Sequence, residues 1–155
     1  MAEQRTIYDP RQALRQAGLR VTAPRLAVLE ALAADGHLDA DQAAAAVRHK
    51  LGTVSTQTVY DALAVLAEHG LARRIEPAGH PRLFEARTGD NHHHLICRSC
   101  QRIEDVDCAV GHRPCLTAQN DHGFEIDEAE VIYWGLCPDC RVTSQTQPNR
   151  RKQKP

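Results

Sequence analysis

Four cysteines form two short pairs in the second half of the chain. Cys97 and Cys100 make one C-x-x-C pair, and Cys137 and Cys140 make a second. Each turn presents two thiolates to one ion, and two turns complete a tetrahedral sulfur site that favours Zn²⁺ and leaves no open position for catalysis. Two disulfides, two redox motifs or buried free thiols would also fit the spacing. We predict structural zinc, because paired turns of this kind rarely occur without metal.

Three consecutive histidines open a predicted strand. Alternation along a strand places His92 and His94 on one face and His93 on the other. Three further groups of suitable chemistry lie elsewhere in the sequence: His37, Glu85 and Asp105. Imidazoles with carboxylates suit Fe²⁺, Mn²⁺, Zn²⁺ or Co²⁺ and not a thiolate-preferring ion. The pattern therefore predicts a second metal site; a set of surface histidines on a solvated strand is the competing interpretation.

Two cysteines, Cys108 and Cys115, lie outside the pairs. The simplest interpretation is that each is a half-buried thiol acting as a small hydrophobe. They could instead form a redox pair, or exchange with the zinc thiolates under oxidation. Spacing alone does not decide between these interpretations.

The composition is that of a globular protein. The chain has 155 residues, 42% hydrophobic and 25% charged, which suits one medium domain or two small ones and excludes a disordered protein. No apolar run approaches the roughly 20 residues of a membrane span. The opening MAEQRTIYDP lacks the pattern of a secretory signal. We expect a soluble, cytoplasmic protein.

Charge is distributed unevenly, although the net charge is only −1. Acidic and basic residues balance over 1–86, acidic residues dominate 87–140, and the charged residues of 141–155 are all basic. This distribution suggests parts with different tasks. Nucleic-acid binding must therefore rest on local placement of charge and not on the total.

The first 86 residues read as four helices followed by a hairpin. We predict helices over 10–17, 23–34, 40–51 and about 56–68, with N-caps at Thr22, Asp39 and either Ser55 or Thr56. The extended runs LARRIE and RLFEA flank the turn PAGHP and form a hairpin. Helices with a terminal hairpin make a winged helix-turn-helix, a DNA-binding arrangement in which the helix at 56–68 enters the major groove.

The second half is richer in strands. HHHLICRS, QRIEDVD and FEIDEAEVIYWGL read as strands, with a mostly helical stretch over 109–122. We predict an α+β protein with a winged-helix domain over 1–86, a hinge over 87–91 and a small α/β domain over 92–140 that carries the Cys₄ site. The polar, basic tail 141–155 should be disordered.

These motifs together resemble the ferric uptake regulator (Fur) family of bacterial metal-dependent repressors over roughly residues 10–140. The matching stretches are GLRVTAPRLAVLEAL, VSTQTVYDALAVLAEHGLARRI, the HHHLICRSC block and the final CPDC. The second half looks like the FurA/CatR-type branch, which is associated with oxidative-stress control of catalase-peroxidase genes. The resemblance implies a homodimer that binds an inverted repeat in double-stranded DNA through its winged helices.

The resemblance also assigns the metal ligands. Cys97, Cys100, Cys137 and Cys140 would hold structural zinc. The regulatory metal, Fe²⁺ or Mn²⁺ with Zn²⁺ as a substitute in vitro, would be held by His37, Glu85, His92, His94 and Asp105. A further metal site of the family carries over poorly. His93 stands where that site has one ligand, but Asn91 and Ala129 replace histidines, so we expect this site to be absent.

On the DNA side, Tyr60 matches a base-contacting tyrosine of the family. The remaining candidate DNA-binding residues are Arg20, Ser55, Gln57, Thr58, Arg73 and Arg74, with Arg82 nearby on the wing. Asp61 stands where many relatives have Arg, and an anion facing DNA is unfavourable. Either its side chain turns away or the base preference differs.

Two sensing modes stay open. In peroxide-sensing members, H₂O₂ reacts with Fe²⁺ and oxidises the histidine ligands, here His37 and His92. The branch resemblance favours this mode, whereas Glu85 is typical of iron-level sensors.

Two functions of a different class also fit a protein with clustered metal ligands. The histidines and carboxylates could form the centre of a hydrolytic metalloenzyme, but no nucleophile motif or phosphate-binding glycine loop supports an enzyme. The chain could instead be a zinc-stabilised interaction module that does not bind DNA. Such a module would show no salt-dependent affinity for DNA.

Overall fold

The computed structural model describes residues 8–146. It divides into two compact units, Met1–Gly89 and Asp90–Pro155. The mixture of helices and sheets agrees with the predicted α+β class. Among the described residues, no helix combines the length and apolar character needed to span a bilayer. The elements in chain order are α1 (Pro10–Gln16), α2 (Ala23–Asp35), β1 (Leu38–Asp39), α3 (Ala40–Leu51), α4 (Thr56–Glu68), β2 (Arg73–Ile75), β3 (Leu83–Glu85), β4 (His92–Cys97), β5 (Ile103–Asp107), β6 (Ile132–Gly135) and α5 (Pro138–Thr146).

The helices of the first unit begin at polar side chains that satisfy free backbone N–H groups. Thr22 and Asp39 are N-caps as predicted, and Ser55 rather than Thr56 caps α4. Asp39 forms a full capping box, accepting from the Gln42 backbone at 2.7 Å while the Gln42 side chain accepts from the Asp39 backbone at 2.9 Å. The helices pack around one apolar core, whose fully buried leucines are Leu14, Leu29, Leu32, Leu63 and Leu66.

A three-stranded sheet closes the first unit in the order β1-β3-β2. The predicted hairpin is present as β2 and β3, with Arg74 opposite Phe84. Strand β1 has only two residues, too few for a two-residue alternation to reveal it in the sequence. It pairs antiparallel with β3, with Leu38 opposite Phe84. This register carries His37, just before Leu38, towards Glu85, just after Phe84.

In the second unit β4 is the central strand of a three-stranded sheet ordered β5-β4-β6. It pairs antiparallel with β5, with His94 opposite Asp105, and parallel with β6, with Ile96 opposite Trp134. The guanidinium of Arg98 stacks 5.1 Å from the centre of the Trp134 ring. The sheet thereby fixes the histidine triplet at one end of β4 and Cys97 at the other.

Three expectations for the second unit are wrong in detail. No helix forms over 109–122; Gly111 adopts φ +76°, and Pro114 lacks the N–H that an interior helix position needs. The third strand is confined to Ile132–Gly135, because only that part of FEIDEAEVIYWGL lies beside β4. The predicted disordered tail begins too early, since α5 continues to Thr146. Residues 147–155 lie outside the described residues.

Candidate functional site

The four paired cysteines converge in the second unit. Their sulfur atoms lie within 4.8 Å of one another, and all four are free thiols. Parallel pairing of β4 with β6 sets Cys97 opposite Gly135, which brings the turn after β4 beside the start of α5. The Sγ atoms of Cys100 and Cys137 are 3.7 Å apart, a spacing close to that of two sulfurs on one tetrahedral ion.

The cluster is electrostatically incomplete without a cation. Backbone N–H groups of Cys100 and Cys137 lower the pKa of Cys97 to about 6. The N–H of Cys137 donates to Sγ of Cys97 at 3.3 Å. A hydrogen bond with Ser99 lowers the pKa of Cys140. Hydrogen bonds with the thiols of Cys137 and Cys100 act in the opposite direction, and the pKa is raised to about 12. Four adjacent thiolates repel one another, so they coexist only around a positive ion. The donor set fits Zn²⁺.

The first unit contributes a buried imidazole–carboxylate pair. Glu85 is only 1% exposed, and its carboxylate lies 3.0 Å from Nε2 of His37. Arg73 approaches the other carboxylate oxygen at 4.0 Å. A buried carboxylate needs compensating positive charge or hydrogen bonds, and the arginine and histidine supply them. The Glu85 carboxylate and Nε2 of His37 are therefore close enough together to bind one hard or borderline cation.

The second unit has its own group of imidazoles and a carboxylate, on one face of β4. His92 and His94 are buried, with their rings 5.0 Å apart. Nε2 of each ring lies 3.8–3.9 Å from Oδ1 of Asp105, His94's cross-strand partner. Asp90, which was not among the predicted site residues, has its carboxylate 2.9 Å from Nδ1 of His92. A carboxylate at Nδ1 orients a histidine so that Nε2 is left to bind metal; the signal in the sequence was an aspartate two residues before the triplet.

Cys108 and Cys115 also come together, on the other side of β4. Both lie close to His93, whose Nε2 is 3.2 Å from Sγ of Cys115. The pKa of Cys108 is lowered, first of all by the backbone N–H of Gly111. Both cysteines are half-buried, as expected.

Four of the residues expected to contact DNA, namely Ser55, Gln57, Thr58 and Tyr60, lie at the start of α4. Tyr60 is 46% exposed on the outer face of this helix. Gln57 donates its side-chain amide to Asp61 at 2.7 Å, so the unexpected carboxylate is engaged along the helix. Ser55 caps the helix and shares a 2.7 Å hydrogen bond with the hydroxyl of Thr58. Ser55 and Thr58 therefore build the end of the helix as well as flanking its outer face.

The candidate arginines differ in their surroundings. Arg20 is exposed. Arg74 is exposed on the wing and lies 3.6 Å from Glu76, which also holds Arg82 at 2.6 Å. Arg73 instead turns towards Glu85, with a side chain only 16% exposed. This arginine is placed to balance a buried carboxylate.

One further arginine, missed in the sequence, organises the start of α4. Arg48, near the end of α3, donates to the Thr56 hydroxyl at 2.7 Å and to the Val54 carbonyl at 3.2 Å. It thereby ties α3 to the first turn of α4. A basic residue in the last turn of a helix looks like dipole compensation in a sequence, which hid this tertiary role.

The family model described as the ferric uptake regulator family matches residues 16–134. The chain belongs to the ferric uptake regulator family. Transcriptional regulator FurA of Mycobacterium tuberculosis is 56% identical over 145 residues, covering 92% of this chain and 99% of that protein. Ferric uptake regulation protein 1 of Mycolicibacterium fortuitum is 60% identical over 121 residues, covering 78% of this chain and 75% of that protein.

A solved structure shares the fold. The Vibrio cholerae ferric uptake regulator superposes with a TM-score of 0.63 at 24% identity, covering 83% of this chain and all of that chain. Fur family proteins are metal-responsive, DNA-binding transcriptional regulators. The chain is therefore a regulator of this type and not an enzyme, which removes the hydrolytic interpretation.

The cysteine cluster generates a direct test. Cys137→Ser should reduce bound Zn²⁺ by one ion per protomer and lower the melting temperature of the second unit, because a small sheet loses its metal crosslink. Zinc is measured with a colorimetric chelator after mercurial release from the thiols. The matched control is Val142→Ala on the exposed side of α5 (64% exposed), which should change neither value. Unchanged zinc in Cys137→Ser would contradict the site.

Proposed function

We propose that this regulator senses peroxide through a metal, Fe²⁺, and represses oxidative-stress genes of the catalase type in the cytoplasm. The ligands we assign are His37, Glu85, His92, His94 and Asp105. The observation that supports this proposal is the composition of the two sets: imidazoles and carboxylates without sulfur, of which Glu85, His92 and His94 are almost fully buried. Such donors suit Fe²⁺ or Mn²⁺, with Zn²⁺ able to substitute in vitro.

In this proposal each unit supplies part of the ligand set. His37 and Glu85 belong to the DNA-reading unit, and His92, His94 and Asp105 belong to the other. A metal that binds both sets favours one arrangement of the units over others, by as much as its affinity differs between them. DNA affinity then depends on metal, and the metal's affinity depends equally on DNA.

Ferrous iron, if bound by these residues, would promote the reduction of H₂O₂ to water with transfer of one oxygen atom to an imidazole ring carbon of a ligand. His37 and His92 are the residues at risk. An oxidised imidazole is a poorer ligand, so metal and DNA are released together. Asp90 lies 2.9 Å from Nδ1 of His92, which would leave Nε2 of this ring to hold the metal.

A short H₂O₂ pulse should abolish operator binding by the Fe²⁺-loaded protein and leave the Mn²⁺-loaded protein unaffected, because Mn²⁺ does not carry out this reduction readily. DNA affinity is measured on the region upstream of the protein's own gene. Peptide mass spectrometry should find one added oxygen on His37 or His92 in the iron form, with the exposed His49 of the same sample as the internal control. Equal loss of binding in both metal forms would transfer the sensing role to the cysteines.

Iron-level regulation is the second candidate, and Glu85 favours it. If neither metal form loses DNA after peroxide, the protein responds to metal concentration alone. Operator affinity then follows free Fe²⁺ with no histidine oxidation.

We propose that α4 reads the operator, an inverted repeat in double-stranded DNA, with Tyr60 packing against thymine methyl groups. Arg20 and Arg74 contribute positive charge, and Ser55, Gln57 and Thr58 lie along the same end of the helix. Tyr60 is exposed, whereas Ser55, Gln57 and Thr58 make side-chain hydrogen bonds within the helix. This difference supports a base-contacting role for Tyr60 and a positioning role for the other three.

Two substitutions separate these roles. Tyr60→Ala should lose affinity mainly for the operator, so that discrimination against scrambled DNA falls by about tenfold, the order of one good base contact. Arg74→Ala should weaken binding to both DNAs alike and reduce the slope of log affinity against log salt by about 1. Fluorescence anisotropy over a salt series measures both quantities. A Tyr60→Ala protein with unchanged discrimination would exclude the base-reading role.

We propose further that the second unit forms the homodimer. It exposes large apolar side chains: Leu116, Phe124 and Tyr133 are 47–76% exposed. In the run from Phe124 to Asp127 apolar and acidic residues alternate, the two-residue period of a strand. This stretch has no strand partner within the described residues, so a second copy can pair with it.

Phe124→Glu should therefore shift the protein from dimer to monomer in sedimentation velocity, because a carboxylate would be buried without a partner. Leu51→Glu is the control, since Leu51 is 37% exposed in the first unit. A Phe124→Glu protein that stays dimeric would place the interface elsewhere.

A further inference from the structure

Three ligand-type side chains from separate parts of the second unit meet outside the two sites already described. His93 comes from β4, Cys108 directly follows β5, and Cys115 lies in the segment between β5 and β6. One ring nitrogen and the two sulfurs lie within 4.8 Å of one another. The closest pair is Nε2 of His93 with Sγ of Cys115, at 3.2 Å.

We propose that His93, Cys108 and Cys115 form a third metal site, which binds a thiophilic cation, Zn²⁺ or Cu⁺. With metal–sulfur bonds of about 2.3 Å and metal–nitrogen bonds of about 2.0 Å, ligand atoms on one tetrahedral ion are about 3.5–3.8 Å apart. The separation between His93 Nε2 and Cys115 Sγ is 3.2 Å, slightly below this range, and no pair of the three ligand atoms is more than 4.8 Å apart. Two thiolates with one imidazole are soft and borderline ligands, unlike the oxygen-containing set of the regulatory site.

The site is distinct from its neighbours because β4 alternates. His92 and His94 face Asp105, whereas His93 points to the opposite side of the strand and meets sulfur. The four cysteines of the structural cluster are at the other end of β4 and beyond it. One strand therefore separates three donor sets of different chemistry.

The surrounding chain gives the site a structural task. Between Asp107 and Ile132 the described chain forms no helix or strand, and connections of that length without regular structure are uncommon unless functional or otherwise held. The backbone N–H of Gly111 donates to Sγ of Cys108 at 3.4 Å, and Sγ of Cys115 lies 3.9 Å from the carbonyl of Ala129. A cation at the two sulfurs and His93 would fasten this segment to the central strand.

Cobalt substitution of the full-length reduced protein tests the proposal. Sulfur-to-Co²⁺ charge-transfer absorption arises only from thiolate ligands, so the regulatory site contributes none. Wild type should show absorption from six thiolates per protomer, and Cys108→Ser/Cys115→Ser from the four of the paired cysteines, a fall of one third. His93→Gln should also lose the additional component. The control His112→Gln, an exposed histidine of the same segment, should keep it.

Two further arms identify the ion and guard against misfolding. Zn²⁺, and separately Cu⁺ in competition with bathocuproine, should protect Cys108 and Cys115 of wild type from alkylation, and the better competitor is the preferred ion. Equal charge-transfer intensity in wild type and the double variant would overturn the proposal. So would a Cys108–Cys115 disulfide found by mass spectrometry in place of metal protection. Neither readout involves DNA or iron, so the outcome is independent of the sensing mode.

Discussion

The two-residue period of strand β4 is the constraint on which both metal-binding and architecture in the second unit depend. His92 and His94 reach Asp105 on one face while His93 reaches Cys115 on the other, and Cys97 at the strand's end begins the thiolate cluster. A shift of one residue in register would exchange the faces and mix imidazole–carboxylate with sulfur ligands. Pairing with β5 on one side and β6 on the other holds that register, so the central position of β4 protects the chemistry of each site.

Compensation of buried charge is the second recurring feature. Glu85 is nearly inaccessible, yet His37 and Arg73 lie beside its two oxygens. A metal ion that bound this carboxylate would add to positive charge already supplied by the protein. The binding free energy gained would therefore be the difference between the metal's interaction with Glu85 and the interactions that it replaces. The same balance appears among the paired cysteines, where the pKa of Cys97 falls and that of Cys140 rises. In both places neighbouring groups of the protein change the charge that a bound cation would meet.

In the first unit, which we propose binds DNA, acidic and basic residues balance overall. Two of its acidic residues contact neighbouring side chains: Asp61 contacts Gln57, and Glu76 contacts Arg74 and Arg82. Arg48 and the Ser55 cap hold the start of α4, leaving Tyr60 exposed. Local pairing of charges would thus allow a near-neutral unit to present the exposed face of α4 to DNA. In a dimer, two copies of this face would bind DNA together.

The sequence alone determined the elements whose signals are local. Thr22 and Asp39 as caps, the hairpin, the alternation of the histidine triplet and the spacing within each C-x-x-C pair all follow from short-range geometry. Only the tertiary structure decided what depends on distant strands. The two-residue β1 exists because it pairs with β3, and this pairing carries His37 to Glu85. The helix expected over 109–122 is absent, and the segment instead brings Cys115 to His93. Propensity and spacing report on neighbours in the chain, whereas the meeting of two ligands is set by strand register and by which buried charges must be balanced.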